Sequence, residues 1–409
     1  MAIATDELFL RRALELAAQG TGLASPNPLV GAVIVDERGR IVGSGTHTYA
    51  GVKHAEVLAI EQAGALARGN TLYLNLEPCS HTGRTGPCAD AVIAAGIARV
   101  VCCMEDPNPL VAGQGFAKLR AAGIEFEVGS LEAEARRLNE SFARYIRTGL
   151  PFVTLKSAMS LDGKIAWSAQ TSASQVSAAR EAARNLGHQG SKASTTYITG
   201  EASRRRVHQI RHASDAILVG IGTILADDPL LTDRSGLPRR RPLLRVILDS
   251  RLRLPLSSHL VESANEDVVV FCSVADESRR RDLEARGVRI CQIEAQTENG
   301  RPDLLPVLAA LGTEQITSVL VEGGAEVNWA FLHEGLVDKL ALFFAPTIFG
   351  PGSVPWLAGE GALPARTLAA TNLRIERFDE DFAVEAYLRD PYSMYCTQHC
   401  PPAKEKQQP

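Results

Sequence analysis

The chain has no run approaching the ~20 consecutive apolar residues that a membrane-spanning helix needs, so nothing in it points to a membrane. Its first dozen residues carry Asp6 and Glu7 where a secretory leader would be basic and then apolar, and the expected location is the cytoplasm. A surplus of either charge is also missing. Forty-three Lys and Arg stand against 47 Asp and Glu, a net charge of -4, and the isoelectric point is near 6.2. A chain that grips nucleic acid or an anionic bilayer shows a basic surplus, so neither is expected as a partner. Cysteine is sparse, eight in 409 residues, and too unevenly spaced for a disulfide framework. Free thiols or metal ligands are the remaining uses. No internal repeat is visible, and no Gly-x-Gly-x-x-Gly opens a strand-to-helix turn, which argues against a Rossmann dinucleotide site.

What is present, 45% hydrophobic and 22% charged residues, suits a soluble globular chain of roughly two or three domains. Leu8, Leu10, Ala13, Leu14, Ala17 and Ala18 recur at helical spacing until Gly20 and Gly22 stop the pattern. The turn Ser25-Pro26-Asn27-Pro28 leads to strands over 30–35 and 41–44, then a helix over 54–67, a strand over 71–76, a helix over 88–95 and a strand over 99–104. A helix over 131–147 runs into Gly149-Leu150-Pro151, the expected domain boundary. Strands are expected again over 152–159, 216–219, 244–248, 268–271, 318–321 and 340–344, alternating with helices. The reading is two α/β domains, residues 1–149 and 150–390, with a polar, proline-punctuated tail over 391–409 expected to be disordered.

The most informative residues are His54, Glu56, Cys79 and Cys88. One imidazole and two thiolates suit Zn²⁺ and leave its fourth tetrahedral position for water, the pattern of a catalytic rather than a structural site. Glu56, two residues beyond the histidine, is the carboxylate that such chemistry needs to take a proton from water and hand it to a leaving amine. Pro87 before Cys88 suits a helix start, where free N–H groups favour a thiolate. Taken singly, each of the four reads as a solvated helix face or a buried thiol; in this order, with Pro78 before Cys79, they read as a site. Cys102 and Cys103 sit in an apolar stretch and read as buried thiols, and Cys396, His399 and Cys400 are too few ligands on a flexible tail for a second metal site.

This arrangement resembles the zinc-dependent nucleotide deaminases, whose signature is His-x-Glu followed by Pro-Cys-x-x-Cys, except that eight residues separate the cysteines here. The longer loop from Cys79 to Cys88, with Ser25-Pro26-Asn27-Pro28-Leu29-Val30-Gly31 and Gly43-Ser44-Gly45-Thr46-His47, is similar to one branch, the bifunctional riboflavin-biosynthesis deaminase-reductases. Three later segments resemble the reductase half of the same family, which has a dihydrofolate-reductase-like fold: 155–166 around Asp162-Gly163-Lys164, 198–204 around Ile198-Thr199-Gly200, and 219–232 around Asp227-Asp228-Pro229. The implied architecture is a cytidine-deaminase-like three-layer α/β domain followed by a dihydrofolate-reductase-like α/β domain. The implied reactions are hydrolytic deamination of 2,5-diamino-6-ribosylamino-4(3H)-pyrimidinone 5′-phosphate and then NADPH-dependent reduction of its ribosyl group to ribityl. The partner is thus a small pyrimidine ribotide, and a homo-oligomer is left open.

By position, the resemblance places the cofactor on Met159, Tyr197, Thr223, Asp227, Ser250 and the turn Gly324, Ala325, Glu326, Val327, Asn328, Trp329 and Ala330. It places the substrate on Asn27 in the first half and on Thr195, Arg211, Leu231, Arg234 and Glu322 in the second, with Lys156 as a further polar group. The residues themselves support parts of this. Val321, Glu322, Gly323 and Gly324 read as strand, then glycine turn, then helix, which exposes backbone N–H groups to a phosphate. Guanidinium groups such as Arg211 and Arg234 make bidentate bonds to phosphate oxygens. His81 and Arg84 could hold a ribose phosphate or simply face solvent, and the arginine runs 204–206, 239–241 and 279–281 read as solvated.

Two departures from the family stand out: Tyr197 occupies a position that is often Trp, and residues 167–192 replace a much shorter turn. Only Val176 and Leu186 are larger aliphatics in 168–192, so a surface excursion with at most one short helix is expected there. Two rival readings remain. One is a deaminase of another base whose second half no longer turns over, which the intact glycine turn and Asp227-Asp228-Pro229 oppose. The other is a binding module with structural zinc, which Glu56 and the open ligand position oppose.

Overall fold

The structure is a computed structural model and describes residues 2–49, 53–80, 86–167, 197–295, 300–361, 363 and 368–393. The expectations for His81, Arg84, Thr195, residues 168–192 and the part of the 391–409 tail from 394 onward lie outside the described residues; Pro391, expected to open that tail, is instead buried, and Tyr392 N donates to Asp390 Oδ1. The chain divides into two compact units, one spanning Met1–Gly149 and the other Leu150–Leu237 with Pro242–Cys400; Pro238–Arg241 group with the first.

The first unit opens with α1 (Ala2–Ala18), which buries Phe9, Leu10, Ala13, Leu16 and Ala17 along one face; of the apolar residues expected there Leu10, Ala13 and Ala17 are buried, whereas Leu8 and Ala18 are exposed, because the buried face turns toward Phe9 and Leu16. Strands β1 (Gly31–Val35) and β2 (Ile41–Thr46) form a hairpin whose tip uses Gly39 at φ +76° and the Asp36 carboxylate, which accepts the N–H groups of Arg38 and Arg40. Then follow α2 (Ala55–Ala63), β3 (Thr71–Leu74), α3 (Cys88–Ala95), β4 (Arg99–Cys102), α4 (Gln114–Ala121), β5 (Glu125–Val128), α5 (Glu132–Leu138) and α6 (Glu140–Thr148). The sheet runs β2-β1-β3-β4-β5, antiparallel at β2-β1-β3 and parallel at β3-β4-β5.

Three local differences from the sequence reading have physical causes. The helix expected over 54–67 ends at Ala63, because Gly64 turns the backbone to φ +55°, and a turn of 3-10 helix (Gly64–Ala67) completes it. The strand from Thr71 stops at Leu74; the buried Asn75 takes over with its side chain, accepting from Gly31 N and donating to Leu29 O. The single helix expected over 131–147 breaks at the buried Asn139, whose amide accepts from Leu29 N at 2.8 Å and donates to Leu29 O. Asn75 and Asn139 thus clamp the same residue, two beyond Asn27.

The second unit contains β6 (Phe152–Ser160), β7 (Lys164–Ala166), α7 (Glu201–Ala213), β8 (Ala216–Gly220), α8 (Ile221–Asp227), β9 (Leu244–Leu248), α9 (His259–Glu262), β10 (Val268–Cys272), α10 (Glu277–Glu284), β11 (Val288–Gln292), α11 (Leu304–Thr313), β12 (Ser318–Val321), α12 (Ala325–His333), β13 (Lys339–Ala345), β14 (Val354–Pro355), β15 (Thr371–Phe378) and β16 (Asp381–Tyr387). Its nine-stranded sheet has the order β11-β10-β9-β8-β12-β6-β13-β16-β15. Pairing is parallel from β11 to β13 and antiparallel at β16 and β15.

Parallel strands covered on both faces carry continuous apolar runs, and Ala216–Gly220, Val268–Cys272 and Ser318–Val321 are buried throughout. One face packs Leu218, Val246, Phe271 and Val321 against α11 and α12. The other packs Ile217, Val219, Ile247 and Val270 against α8, α9 and α10. The sequence reading lacked β15 because that edge strand is exposed along nearly its whole length and so has no apolar face to announce it. Among the described residues no helix is long and apolar enough to cross a membrane.

Candidate active sites

In the first unit, His54 is the N-cap of α2, in extended conformation, so its ring projects from the helix start. The helix lies very close to β2. A Cβ added at Gly43 would sit 2.2 Å from Ala59 O, and one at Gly45 would sit 2.1 Å from Ala55 O. Cys88 opens α3 behind the Pro87 N-cap, and its backbone N–H donates to Cys79 Sγ at 3.3 Å. His54 Nδ1 lies 3.0 Å from Cys88 Sγ and 3.5 Å from Cys79 Sγ. All three ligand atoms fall within 4.8 Å of one another, the one such group of three among the described residues.

The electrostatics suit a cation. Contacts from Cys88 and His54 draw the Cys79 thiol down to about 4, while the contact with Cys79 and burial, reinforced by the charges of Glu56 and Cys79, drive Cys88 upward. Two thiolates side by side thus need a positive charge between them. Glu56 is 3% exposed, and its Oε2 has no hydrogen-bond partner among the described residues. Burial pushes its carboxyl up to about 7. A convergent S,S,N donor set fits zinc and excludes magnesium and calcium, which take oxygen ligands.

Around this cluster the structure assembles residues that the sequence reading had not linked. Asn27 Nδ2 lies 3.0 Å from His47 Nε2, and His47 Nδ1 lies 3.0 Å from Lys53 O. Only an Nδ1–H can serve the carbonyl, so Nε2 accepts from the Asn27 amide and leaves Asn27 Oδ1 outside this pair. The His47 ring meets His54 edge-on at 5.1 Å, and burial lowers the His47 pKa. Glu77 is the second addition. Its carboxylate accepts the backbone N–H groups of Asp106, Gly113, Gly115 and Phe116, which fastens the first turn of α4 and the segment before it beside Pro78-Cys79. Gly115 permits this, since a Cβ there would meet Pro78 O at 2.0 Å. Asp106 is brought into the same neighbourhood, and burial raises its carboxyl to about 6. A lone glutamate before Pro-Cys carries no local signal for such a role.

In the second unit most of the expected residues gather at the carboxyl ends of the parallel strands, where open α/β sheets bind ligands. Lys156 and Met159 come from β6, Thr223 and Asp227 from α8 after β8, Ser250 from the residues after β9, and Glu322 and Gly324 from the turn after β12. Glu322 holds Arg211 through Nε at 2.7 Å and Nη2 at 3.1 Å, and Lys156 Nζ stands 3.5 Å away. Burial alone would raise the Glu322 pKa, but Lys156 and Arg211 outweigh it and hold the carboxyl down at about 2. Arg211 Nη1 also donates to Thr232 O. Leu231 is buried at φ +54°, and the exposed Arg234 donates Nε to Thr232 Oγ1 at 3.3 Å.

The glycine turn is only partly open. Nothing lies within 4 Å of a Cβ added at Gly324 or Gly222, at the starts of α12 and α8, so both helix N-termini offer room for a phosphate beside bare backbone. Farther along α12 the side chains turn to the protein itself. Val327 packs against Gly220 and Gly323, Asn328 donates to Trp356 O, Trp329 donates to Glu360 O, and Ala330 joins the core. Glu326 pairs with Arg301. The buried Asn328 keeps an Oδ1 without a partner among the described residues, a second sign that the region fits a polar ligand. Tyr197 is half-exposed with the Arg204 guanidinium 4.5 Å over its ring, and Ala325 and Met159 are buried.

Comparison with known proteins agrees unit by unit. Residues 3–104 match the cytidine and deoxycytidylate deaminase zinc-binding region, and residues 151–384 match the RibD C-terminal domain. The riboflavin biosynthesis protein RibD of Bacillus amyloliquefaciens is 42% identical over 358 residues, 87% of this chain and 89% of the relative. That of Escherichia coli K12 is 40% identical over 356 residues, 84% and 89% of the two chains. The structure of Acinetobacter baumannii RibD (form 1) superposes with a TM-score of 0.77 at 36% identity, covering 94% of this chain and 99% of that one.

A deaminase unit of the zinc-binding kind joined to a reductase unit of dihydrofolate-reductase-like fold defines a bifunctional deaminase-reductase. The chain belongs to the RibD family of riboflavin biosynthesis proteins, as a deaminase and a reductase in one polypeptide.

Proposed function

We propose that residues 1–149 deaminate 2,5-diamino-6-ribosylamino-4(3H)-pyrimidinone 5′-phosphate and that residues 150–390 reduce the ribosyl group of the product, in the cytoplasm. His54, Cys79 and Cys88 would hold zinc, which when bound supplies the Lewis acidity that makes water a nucleophile near neutral pH. Glu56 would take a proton from the attacking water and return it to the departing amine, a role that suits a buried carboxyl pushed up to about 7. Asn27, oriented by His47, offers its amide to the pyrimidine edge. The reading rests on one observation above all: the unpartnered Glu56 oxygen buried beside a convergent S,S,N cluster.

In the reductase half, NADPH supplies the hydride, and the protein orients it. The open starts of α8 and α12 would receive its phosphates, with Met159, Tyr197, Thr223, Asp227, Ser250 and the residues from Gly324 to Ala330 around it. Lys156, Glu322 and Arg211 would form a fixed polar wall beside the ribosyl group, with Arg211 and Arg234 toward its 5′-phosphate and Leu231 and Thr195 as further contacts. The test is direct: supply the diaminopyrimidinone phosphate with and without NADPH and follow ammonia and nicotinamide absorbance. Ammonia in both, with nicotinamide oxidation only after deamination, is the expected result. Ammonia from an unrelated base, or none from this one, would sink the assignment.

The polar wall yields a stability prediction. Lys156, Arg211 and Glu322 have side chains only 13%, 16% and 13% exposed. In Glu322→Gln the two cations lose their counter-charge, which costs about 3 kcal/mol or more when a largely buried pair is broken. Calorimetry is expected to show the melting of the second unit moved down while ammonia release persists. An unmoved transition would mean that the triad is neutralised in some other way.

A further inference from the structure

Helix α7 carries more chemistry than Arg211. His208, Arg211 and His212 stand at i, i+3 and i+4 and so share one face. His212 Nδ1 pairs with Asp233 Oδ2 at 2.9 Å, both side chains being buried, and Arg211 Nη1 donates to Thr232 O. These contacts hold the segment Leu231–Arg234 against the face that bears His208. Asp233 is further committed, accepting from Ser235 N. Among the described residues Arg234, next to it, has one hydrogen bond, the 3.3 Å contact with Thr232 Oγ1.

His208 itself is half-buried, and its Nδ1 is sealed from solvent with no hydrogen-bond partner among the described residues. Its surroundings are cationic on balance. Arg211 on its own helix and Arg234 from the facing segment act against protonation, reinforcing burial, while Glu322 after β12 and Asp233 act more weakly the other way. A neutral imidazole has one N–H, and the tautomer that avoids burying an unpaired N–H carries it on Nε2. That leaves a hydrogen-bond donor on the helix face that also bears Arg211, opposite the segment that carries Arg234, with the charges of both arginines felt at the ring. What this arrangement lacks is an anion with several acceptor oxygens.

We propose that His208 is a third side chain of the subsite for the substrate's 5′-phosphate, donating a hydrogen bond to it alongside Arg211 and Arg234. The proposal rests on the reading, given above, that these two arginines face that phosphate. It assigns His208 to substrate selection, because a donor to the phosphate acts on the phosphorylated substrate alone.

The experiment uses the full chain with the already deaminated substrate and the same compound without its phosphate, following NADPH oxidation. The quantity read is the ratio of kcat/KM for the two. His208→Ala is expected to lower that ratio about tenfold, chiefly through a raised KM for the phosphorylated compound, since one hydrogen bond to a charged group is lost. His208→Gln, which restores a side-chain N–H, is expected to recover part of it. Ammonia release and melting temperature, measured on the same preparations, report any misfolding, and His208→Gln carries the test if the alanine variant fails to fold. Arg234→Ala separates the two levels of the argument. If it lowers the ratio and both His208 variants keep it at the parental value, the His208 proposal is overturned and the arginine reading stands. If Arg234→Ala leaves the ratio unchanged, the arginine reading fails and the proposal fails with it. Equal losses of kcat on both substrates in the His208 variants would show a structural role and also overturn it.

Discussion

Glu56→Gln is expected to cut ammonia release by about 10²–10⁴-fold, the range typical of a lost general acid/base, while the protein keeps its zinc. The substitution preserves shape and changes only the capacity to carry a proton. His54, Cys79 and Cys88 remain in place, because they hold one another directly, and the contact of Glu56 with the Cys88 thiol is one that a glutamine of the same shape can keep. Reduction of the deaminated substrate is expected to survive, since every residue assigned to it lies beyond Gly149. Metal analysis, an ammonia assay and a nicotinamide assay on one preparation decide the matter. Near-parental deamination would remove Glu56 from the chemistry, and loss of zinc would make it part of the metal shell instead.

The second large effect is expected from one methyl group. In Gly45→Ala the new Cβ would lie 2.1 Å from Ala55 O, 2.8 Å from Leu58 Cβ and 3.0 Å from Ala55 C. Backbone atoms cannot move aside as a flexible side chain can, so the start of α2 has to retreat from β2. That helix start carries His54 and Glu56. Overpacking of this kind costs about 1–3 kcal/mol in stability, and the shift misplaces one zinc ligand and the proton carrier together. Zinc content and ammonia release are expected to fall while the reductase is unaffected. Gly39→Ala is the control. It sits at φ +76° in the hairpin tip with nothing within 4 Å, so it is expected to strain a turn and spare the zinc site. If Gly45→Ala retains full zinc and activity, the close approach of β2 and α2 is not what seats the site.

Much of the fold was legible in the sequence, for reasons that vary from element to element. Helix α1 announced itself through apolar residues at helical spacing, though the face it buries includes Phe9 and Leu16 and leaves Leu8 and Ala18 out, and β8, β10 and β12 through continuous apolar runs that suit strands buried on both sides. Helix α4 and strands β5, β11, β15 and β16 were not legible. β5 and β15 are exposed along most of their length, so neither carries a marked face, and their pairing comes from neighbours already in the sheet. The break at Asn139 was equally hidden. The sequence there is helical in character, and only the pairing of its amide with Leu29, 110 residues away, makes the interruption favourable.

The same division applies to the sites. The candidate set His54, Glu56, Cys79 and Cys88 was legible in the sequence, because metal ligation and proton transfer demand particular side chains and these lie within one short stretch of chain in a recognisable order, and the structure brings the three metal-ligand types within 4.8 Å of one another. The glycine turn at 323–324 is legible for a similar reason, since only glycine leaves the backbone bare at a helix start. Tertiary structure decided the rest. It joined Asn27 to His47, fastened Asp106 to Glu77, and built the Lys156–Glu322–Arg211 wall from residues up to 166 positions apart, Lys156 and Glu322 being the farthest. The cause is strand order: β12 enters the sheet between β8 and β6, which sets Val321 opposite Leu155 and Leu218 and delivers Glu322 between Lys156 and the end of α7. Charges so far apart in the chain carry no local pattern, and only the buried pairing of the sheet brings them within reach of one another.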